Sequence, residues 1–367
     1  MDDVPAPGAR AVIATPVMSG DYPAVGVVAG HSVVMHYGDV ASEFTSLRGG
    51  AMLVDRSARG RVRIEGAQAA EMLTGLLTND VKALTPGHGL YAAALTAKGK
   101  IVADLRVFAD HDGFLVDAPP RAHAGWTAML KKYVNPRLAP YRDESAKVRV
   151  AGVFGVAARR VVASVTGIAA DALAALPPYG HVAGEVGEHQ LRVARVPELE
   201  LEGYELLAPA EAHAEVWRQL TVRGATPSGL LAWEIARIEA GRPEWGLDID
   251  DTTIPQEANL DELHAISYTK GCYVGQEVVA RVHFRGHVNR HLRGLLCGQS
   301  EPPPDRAILL DDKGKQVGEV RSSAVSPRLG AIALAMVRRE VEPGTTLAVQ
   351  WAGGAAQADV SRLPFPL

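Results

Sequence analysis

Cysteine is nearly absent: 367 residues hold two, Cys272 and Cys297. That excludes a disulfide framework and a four-cysteine zinc site. Aromatic residues are also scarce, at 5%. Neither sign of charge dominates, since 38 basic residues face 42 acidic ones for a net charge of −4. A protein that coats nucleic acid would need a basic excess to neutralise phosphates, so that class is excluded, and no direct nucleic-acid partner is expected. Long hydrophobic runs are missing too. The longest stretch without Lys, Arg, Asp or Glu, from Tyr22 to Gly38, spans 17 residues and contains Pro23, several glycines and two histidines. No transmembrane helix is expected from it. The N-terminal MDDVPAPGAR is acidic and proline-rich, which is wrong for a signal peptide, so a reducing cytoplasm is the expected compartment. There is no Gly-x-Ser-x-Gly elbow and no glycine-rich phosphate loop of the GxGxxG or GxxxxGK[ST] type. Serine hydrolases, dinucleotide dehydrogenases and P-loop NTPases are thereby set aside.

What is present is the composition of an ordinary folded protein, 47% hydrophobic and 22% charged, with 37 glycines and 23 prolines implying many turns. The length fits two or three domains. Alternation over Arg61–Ile64 predicts a strand ending at Gly66, and Ala70, Leu73 and Leu77 predict a helix closed by Asn79-Asp80. YAAALTAKGKIVADLRVF reads as two strands about Lys98-Gly99-Lys100, and a helix ends near Lys131-Lys132-Tyr133. Residues 150–206 read as α/β, with an alanine-rich helix before Pro177-Pro178. Two more helices follow, AEAHAEVWRQL stopped by Gly224 and LLAWEIARIEAG ending at Gly241. After Arg293 short strands alternate with turns, the pattern of a small β-barrel or sandwich.

The sharpest local feature is Lys270-Gly271-Cys272-Tyr273-Val274-Gly275-Gln276-Glu277, running on to Arg281. Flanking glycines allow a tight turn and close approach to a ligand, and a lysine two residues before a thiol can activate it. A buried, inert cysteine in a glycine-rich turn fits the same text. Next comes a basic run without an acid from Val278 to Ser300, holding Arg281, Arg285, Arg290 and Arg293 with His283, His287 and His291. It suits a polyanionic ligand or a solvated edge. VVARVHF looks β-like, so the four-residue histidine spacing does not predict a metal-binding helix face. The acids Asp248, Asp250 and Asp251 lack the glycine and closing glutamate of an EF-hand and hold no predicted metal.

PQEANL (Pro255–Leu260), followed by AISYTKGCYVGQEVVARVHFRGHVNR, closely resembles the signature of YgfZ-type folate-binding proteins, relatives of the glycine-cleavage T-protein, the aminomethyltransferase. HYG at 36–38, LVDRS at 53–57, LTNDV at 77–81, AKGK with LRVF over 97–108, LKKY at 130–133, RIEAG at 237–241 and VGEVRSSAVSPRLGAIALAMV extend the resemblance over nearly the whole chain. It implies an α+β ring of three modules around a reduced folate. A folate-binding region would cover 1–292, with an inner module at about 55–150, and a C-terminal β-barrel would cover 293–367.

The resemblance implies Lys270 and Cys272 as the functional pair, and Trp233, Arg237, Tyr273, Gln276, Glu277, Arg281 and Asp104 as folate-binding residues. Trp233, eight residues before Gly241 as in the YgfZ branch, would stack on the pterin; a second family tryptophan is Arg59 here. T-proteins carry Asp-Asp where this chain has Ala103-Asp104, an acid at the position of Leu201 and an arginine at that of Trp233. Strand alternation puts Ile101, Ala103, Leu105 and Val107 on one face and Asp104 on the other, so Asp104 is not expected to replace the missing carboxylate without a register slip or a bulge. The branch so chosen implies an accessory protein for iron–sulfur enzymes or their assembly factors, tRNA-modifying ones included, monomeric or weakly dimeric. Tetrahydrofolate-dependent aminomethyl transfer is the alternative.

Overall fold

Two largely antiparallel sheets lie face to face in the computed structural model, which describes residues 23–299 and 301–366. The N-terminal MDDVPAPGAR lies outside the described residues. The inner sheet runs in the order Gly89–Leu95, Ile101–Ala109, Gly113–Ala118, Gly60–Glu65, Tyr141–Asp143. The outer sheet runs His181–Val186, His189–Arg195, Gly203–Pro209, Val148–Phe154, Met52–Asp55, Thr226–Ser228, and its last pair is parallel.

Each sheet buries its two faces differently. One face of the inner sheet (Val62, Ile64, Ala92, Ala103, Leu105, Val116) packs on the helices Ala69–Leu76 and His123–Tyr133 through Leu73 and Trp126. One face of the outer sheet (Leu53, Val153, Val193, Leu206) packs on Ala158–Thr166 and His213–Val222 through Val161 and Val216. The remaining faces meet each other, with Tyr91, Ala93, Phe108 and Leu115 against Val150, Ala194 and Leu207. The order is therefore helix, sheet, sheet, helix, and side chains on the two meeting faces can converge.

The expected strands and helices form, including the Lys98-Gly99-Lys100 turn, where Gly99 has φ +71°. The tail closes into a six-stranded barrel from Arg290–Cys297 through Gly354–Ser361. One element differs: Gln276–Arg285 is a helix, not an extended segment. It starts at Gly275 (φ +84°), carries Glu277 in its first turn and His283 and Arg285 in its last, and buries Val279. Those charges suit the helix dipole, and tertiary packing overrides the β-propensity of its valines. His283 stacks on Tyr268 at 3.6 Å between ring centroids, and His287 lies beyond the helix end.

Helix Leu230–Glu239 is buried along most of its length. It can pack closely because Gly229 has no Cβ, which would sit 2.2 Å from the Met35 carbonyl oxygen. Its buried side chains meet the first helix and the barrel: Phe44 and Leu47 of Val40–Gly49 cluster with Trp233, while Leu292 and Leu334 cluster with Ile238.

Candidate active site

The strand Ile101–Ala109 decides what enters the space between the sheets. A bulge pairs Ile101 with Leu95 but Ala103 with Ala94, breaking the two-residue alternation. Ile101 consequently joins the inter-sheet core, whereas Ala103 is fully buried against the helices. Asp104 and Arg106 face the inter-sheet space. Asp104 is thus the carboxylate that this strand offers to the centre, and an acid at 103 would enter an apolar core. The expectation that Ala103 empties the site of its carboxylate is corrected on this geometry.

Around Asp104 the two sheets build a buried charge network. Arg106 donates to Asp117 at 3.0 Å, to Glu198 at 3.0 Å and to Glu205 at 3.0 Å. Arg59 pairs with Asp117, and Arg56 donates to Glu198 at 3.3 Å. Burial by itself would raise the Glu198 carboxyl; the guanidiniums of Arg106, Arg56 and Arg59 overcome it and hold the group down at about 2. Leu201, by contrast, packs in the apolar cluster around Trp233 and Phe154. Glu198, three residues earlier, supplies an acid to the site.

Two adjoining clefts open onto this network and share Arg56, Arg59 and Glu244. The inner one is lined also by Tyr91, Asp104, Glu198, Trp233, Arg237 and Arg242. Asp104 Oδ2 accepts from the Tyr91 hydroxyl at 3.0 Å, while Oδ1 is buried without a hydrogen-bond partner. Burial pushes the Asp104 carboxyl up to about 6 against the pull of Arg59. Trp233 is 2% exposed, with its Nε1 likewise unbonded. The Arg56 guanidinium lies over its ring at 3.9 Å from the centroid, and Phe154 sits at 5.0 Å. A planar ligand in the cleft therefore meets Arg56, which covers the indole, and the expected stacking of a pterin directly on Trp233 is corrected. Arg237 is buried and fixed by Glu234 at 2.9 Å and Asp248 at 2.7 Å.

The Lys270–Arg281 segment is placed elsewhere. Lys270 is buried, and its Nζ donates to the carbonyls of Thr74 and Leu77, closing the C-terminus of helix Ala69–Leu76. Burial lowers its ammonium to about 8. Its Nζ also sits 4.6 Å from the Tyr273 ring centroid. Cys272 is exposed. Tyr273 joins the inter-sheet core, and its backbone N–H donates to Gln276 Oε1 at 3.3 Å. Glu277 and Arg281 are exposed. None of these six lines either cleft. Sequence reading missed Arg56, Arg106, Asp117, Glu198, Glu205, Tyr91 and Arg242. The available signal was charge inside otherwise apolar strands, as in ADLRVF, FLVDA and GYELLA.

Two meeting sheets with charged clefts beside their buried ionic network, followed by a closed barrel, define the architecture of the chain. The chain belongs to the glycine cleavage T-protein family: residues 21–267 match the GCVT N-terminal domain, and residues 290–365 match the glycine cleavage T-protein C-terminal barrel domain. It is 32% identical to an aminomethyltransferase of Saccharopolyspora erythraea, over 92% of each chain. It is 29% identical to one of Rippkaea orientalis, again over 92% of each. The fold is that of the aminomethyltransferase T of Bartonella henselae (TM-score 0.84, 24% identity, 94% of each chain covered). These relatives overturn the expected role as an accessory protein for iron–sulfur enzymes. The T-protein superfamily stands; the YgfZ-type branch is not supported. The physical reason is the strand geometry above, because Ala103 and Leu201 both point away from the cleft that Asp104 and Glu198 serve. Among the described residues, no helix is long and apolar enough to cross a membrane.

Proposed function

We propose that the protein is a folate-dependent aminomethyltransferase. Its substrates are a reduced folate and an aminomethyl group carried as a thioether on the lipoyl arm of a carrier protein. The observation that carries this reading is Asp104: a buried carboxylate in the inner cleft with one oxygen free of any protein donor. Trp233 Nε1, a second unbonded buried polar atom in the same cleft, supports it. Buried polar groups are rarely left unpaired, so two together suit a polar ligand. The donors and acceptors present also fit a pterin, whose amide and amino edge pairs with a carboxylate and whose ring stacks on planar groups such as Arg56.

In the overall reaction the methylene carbon leaves sulfur and the amine nitrogen and joins two folate nitrogens. The two folate N–H hydrogens depart with the thiol and the ammonia, so atoms balance without an added oxidant. This chain's contribution is positional and electrostatic. Tyr91 orients Asp104 by its hydroxyl, leaving Oδ1 to accept a proton or stabilise positive charge. Glu198, held ionised by three arginines, offers a fixed negative group. The sheets and the buried helix Leu230–Glu239 restrict water.

The test supplies purified protein with tetrahydrofolate and aminomethyl-lipoyl carrier protein and follows ammonia and methylenetetrahydrofolate. Turnover that requires both substrates and falls in Asp104→Asn is expected. Folate binding without any turnover by the wild type would overturn the reading.

A further inference from the structure

Arg242 stands just after the left-handed Gly241 (φ +66°) that ends helix Leu230–Glu239, and it lines the inner cleft. One of its N–H groups donates to the Tyr179 hydroxyl at 3.1 Å, and its guanidinium lies over the Tyr91 ring at 4.9 Å. The two tyrosines are themselves stacked, with centroids 6.1 Å apart and an interplanar angle of 18°. Tyr179 has φ +59°, a conformation that costs a bulky residue energy. Its backbone fits because residue 89 is glycine, where a Cβ would come within 2.4 Å of the Tyr179 carbonyl oxygen. A strained tyrosine and a stacked partner therefore fix one guanidinium in place.

The neighbouring arginines are all neutralised. Arg56 has Glu198, Arg59 has Asp117, and Arg237 has Glu234 and Asp248. Among the described residues Arg242 has no carboxylate within ion-pair distance. A guanidinium carries five N–H donors, and one hydrogen bond to a hydroxyl leaves most of them for a ligand. Its side chain is only partly buried, so those donors are reachable from the cleft. Tyr91 links the two ends of the site: its hydroxyl holds Asp104, and its ring supports Arg242.

We propose that Arg242 is the anion-recognition residue of the cleft and that it takes a carboxylate of the ligand. On the folate reading above, on which this rests, that carboxylate belongs to the glutamate tail. The tail then sets the ligand's register, placing its reactive nitrogens toward Asp104. A charge-assisted contact of this kind is worth about ten- to a hundredfold in affinity.

The experiment compares 6-methyltetrahydropterin, which carries no carboxylate, with tetrahydrofolate by calorimetric titration of wild type, Arg242→Gln and Arg242→Lys. Tetrahydrofolate binding should weaken about ten- to a hundredfold in Arg242→Gln and less in Arg242→Lys. Binding of 6-methyltetrahydropterin should change less than about twofold. Tyr179→Phe should weaken tetrahydrofolate several-fold by loosening the guanidinium. Equal losses for both ligands in Arg242→Gln, or no loss for either, would overturn the assignment. If wild type binds neither pterin, the folate reading falls, and p-aminobenzoylglutamate decides the arginine separately. Binding of that probe by wild type that vanishes in Arg242→Gln supports the assignment, and its absence from wild type overturns it.

Discussion

Asp104 is the carboxylate proposed to act in the reaction, and its burial carries an energetic cost. Burial raises its folded-state pKa from 3.8 to about 6, so the folded protein binds this proton more tightly than the unfolded chain. Stability contributed by the group is full below pH ~4 and is lost as pH rises through about 6, by on the order of 3 kcal/mol. Asp104→Asn should remove that decline, which a series of urea unfolding midpoints between pH 4 and 7 would register. In the proposed reaction the carboxylate is needed ionised, so kcat should rise with pH through about 6 in the wild type. Loss of the group should lower kcat by about 10²–10⁴ with a much smaller effect on folate affinity. Cys272 is a contrast, since its exposed thiol lines neither cleft. Cys272→Ser should keep activity within about twofold and stability within about 0.5 kcal/mol; a large loss of turnover would return the thiol to the site.

At the scale of elements, the glycine-bracketed segment packs against the inner module. Gly275 begins helix Gln276–Arg285 at φ +84°, and a Cβ there would sit 2.5 Å from the Thr96 carbonyl oxygen. Gly271 has open space around its would-be Cβ and no positive φ. Gly275→Ala should therefore destabilise by about 1–3 kcal/mol, whereas Gly271→Ala should change stability by less than about 0.5 kcal/mol. Equal midpoints in chemical denaturation would show that the turn tolerates a side chain. Lys270 joins this segment to the inner module by capping the carbonyls of Thr74 and Leu77. Lys270→Met leaves those carbonyls without their donor, an expected loss of about 1–3 kcal/mol, and faster hydrogen exchange in helix Ala69–Leu76 would localise it.

At the centre of the molecule the two sheets are joined by charge as well as by apolar contact. Arg106 of the inner sheet reaches Glu198 and Glu205, from the outer sheet and the segment leading into it, while Asp117 takes it from its own sheet. Arg106→Leu strands these buried acids and should cost about 3–5 kcal/mol. The pH dependence should change with it. Glu198 is held at about 2, and Asp117 is also lowered, its burial outweighed by Arg106, Arg59 and Arg61. Their stabilisation is present above the unfolded carboxylate range of about 4 and is lost as pH falls toward 2. Acid unfolding of Arg106→Leu, followed by circular dichroism, should move to higher pH; an unchanged midpoint would mean that the network contributes no acid resistance.

Elements whose signals are local were legible in the chain alone. The hairpin about Gly99, the helix ending at Gly241 and the barrel after Arg293 are written in turn residues and in periodicity. Motif order from HYG to the barrel strands placed the superfamily. Choosing a branch from Ala103, Leu201 and Trp233 failed, because that choice needed the direction of side chains rather than their identity. A single bulge at Ile101–Ala103 resets the strand's alternation, and no local rule announces it. Arg56 covers Trp233 from a loop far away in the chain, and Lys270 leaves its cysteine to cap a helix nearly two hundred residues earlier. Such choices are made by the burial of charge: each guanidinium, ammonium or carboxylate taken from water must find partners, and only the folded chain determines which ones lie within reach.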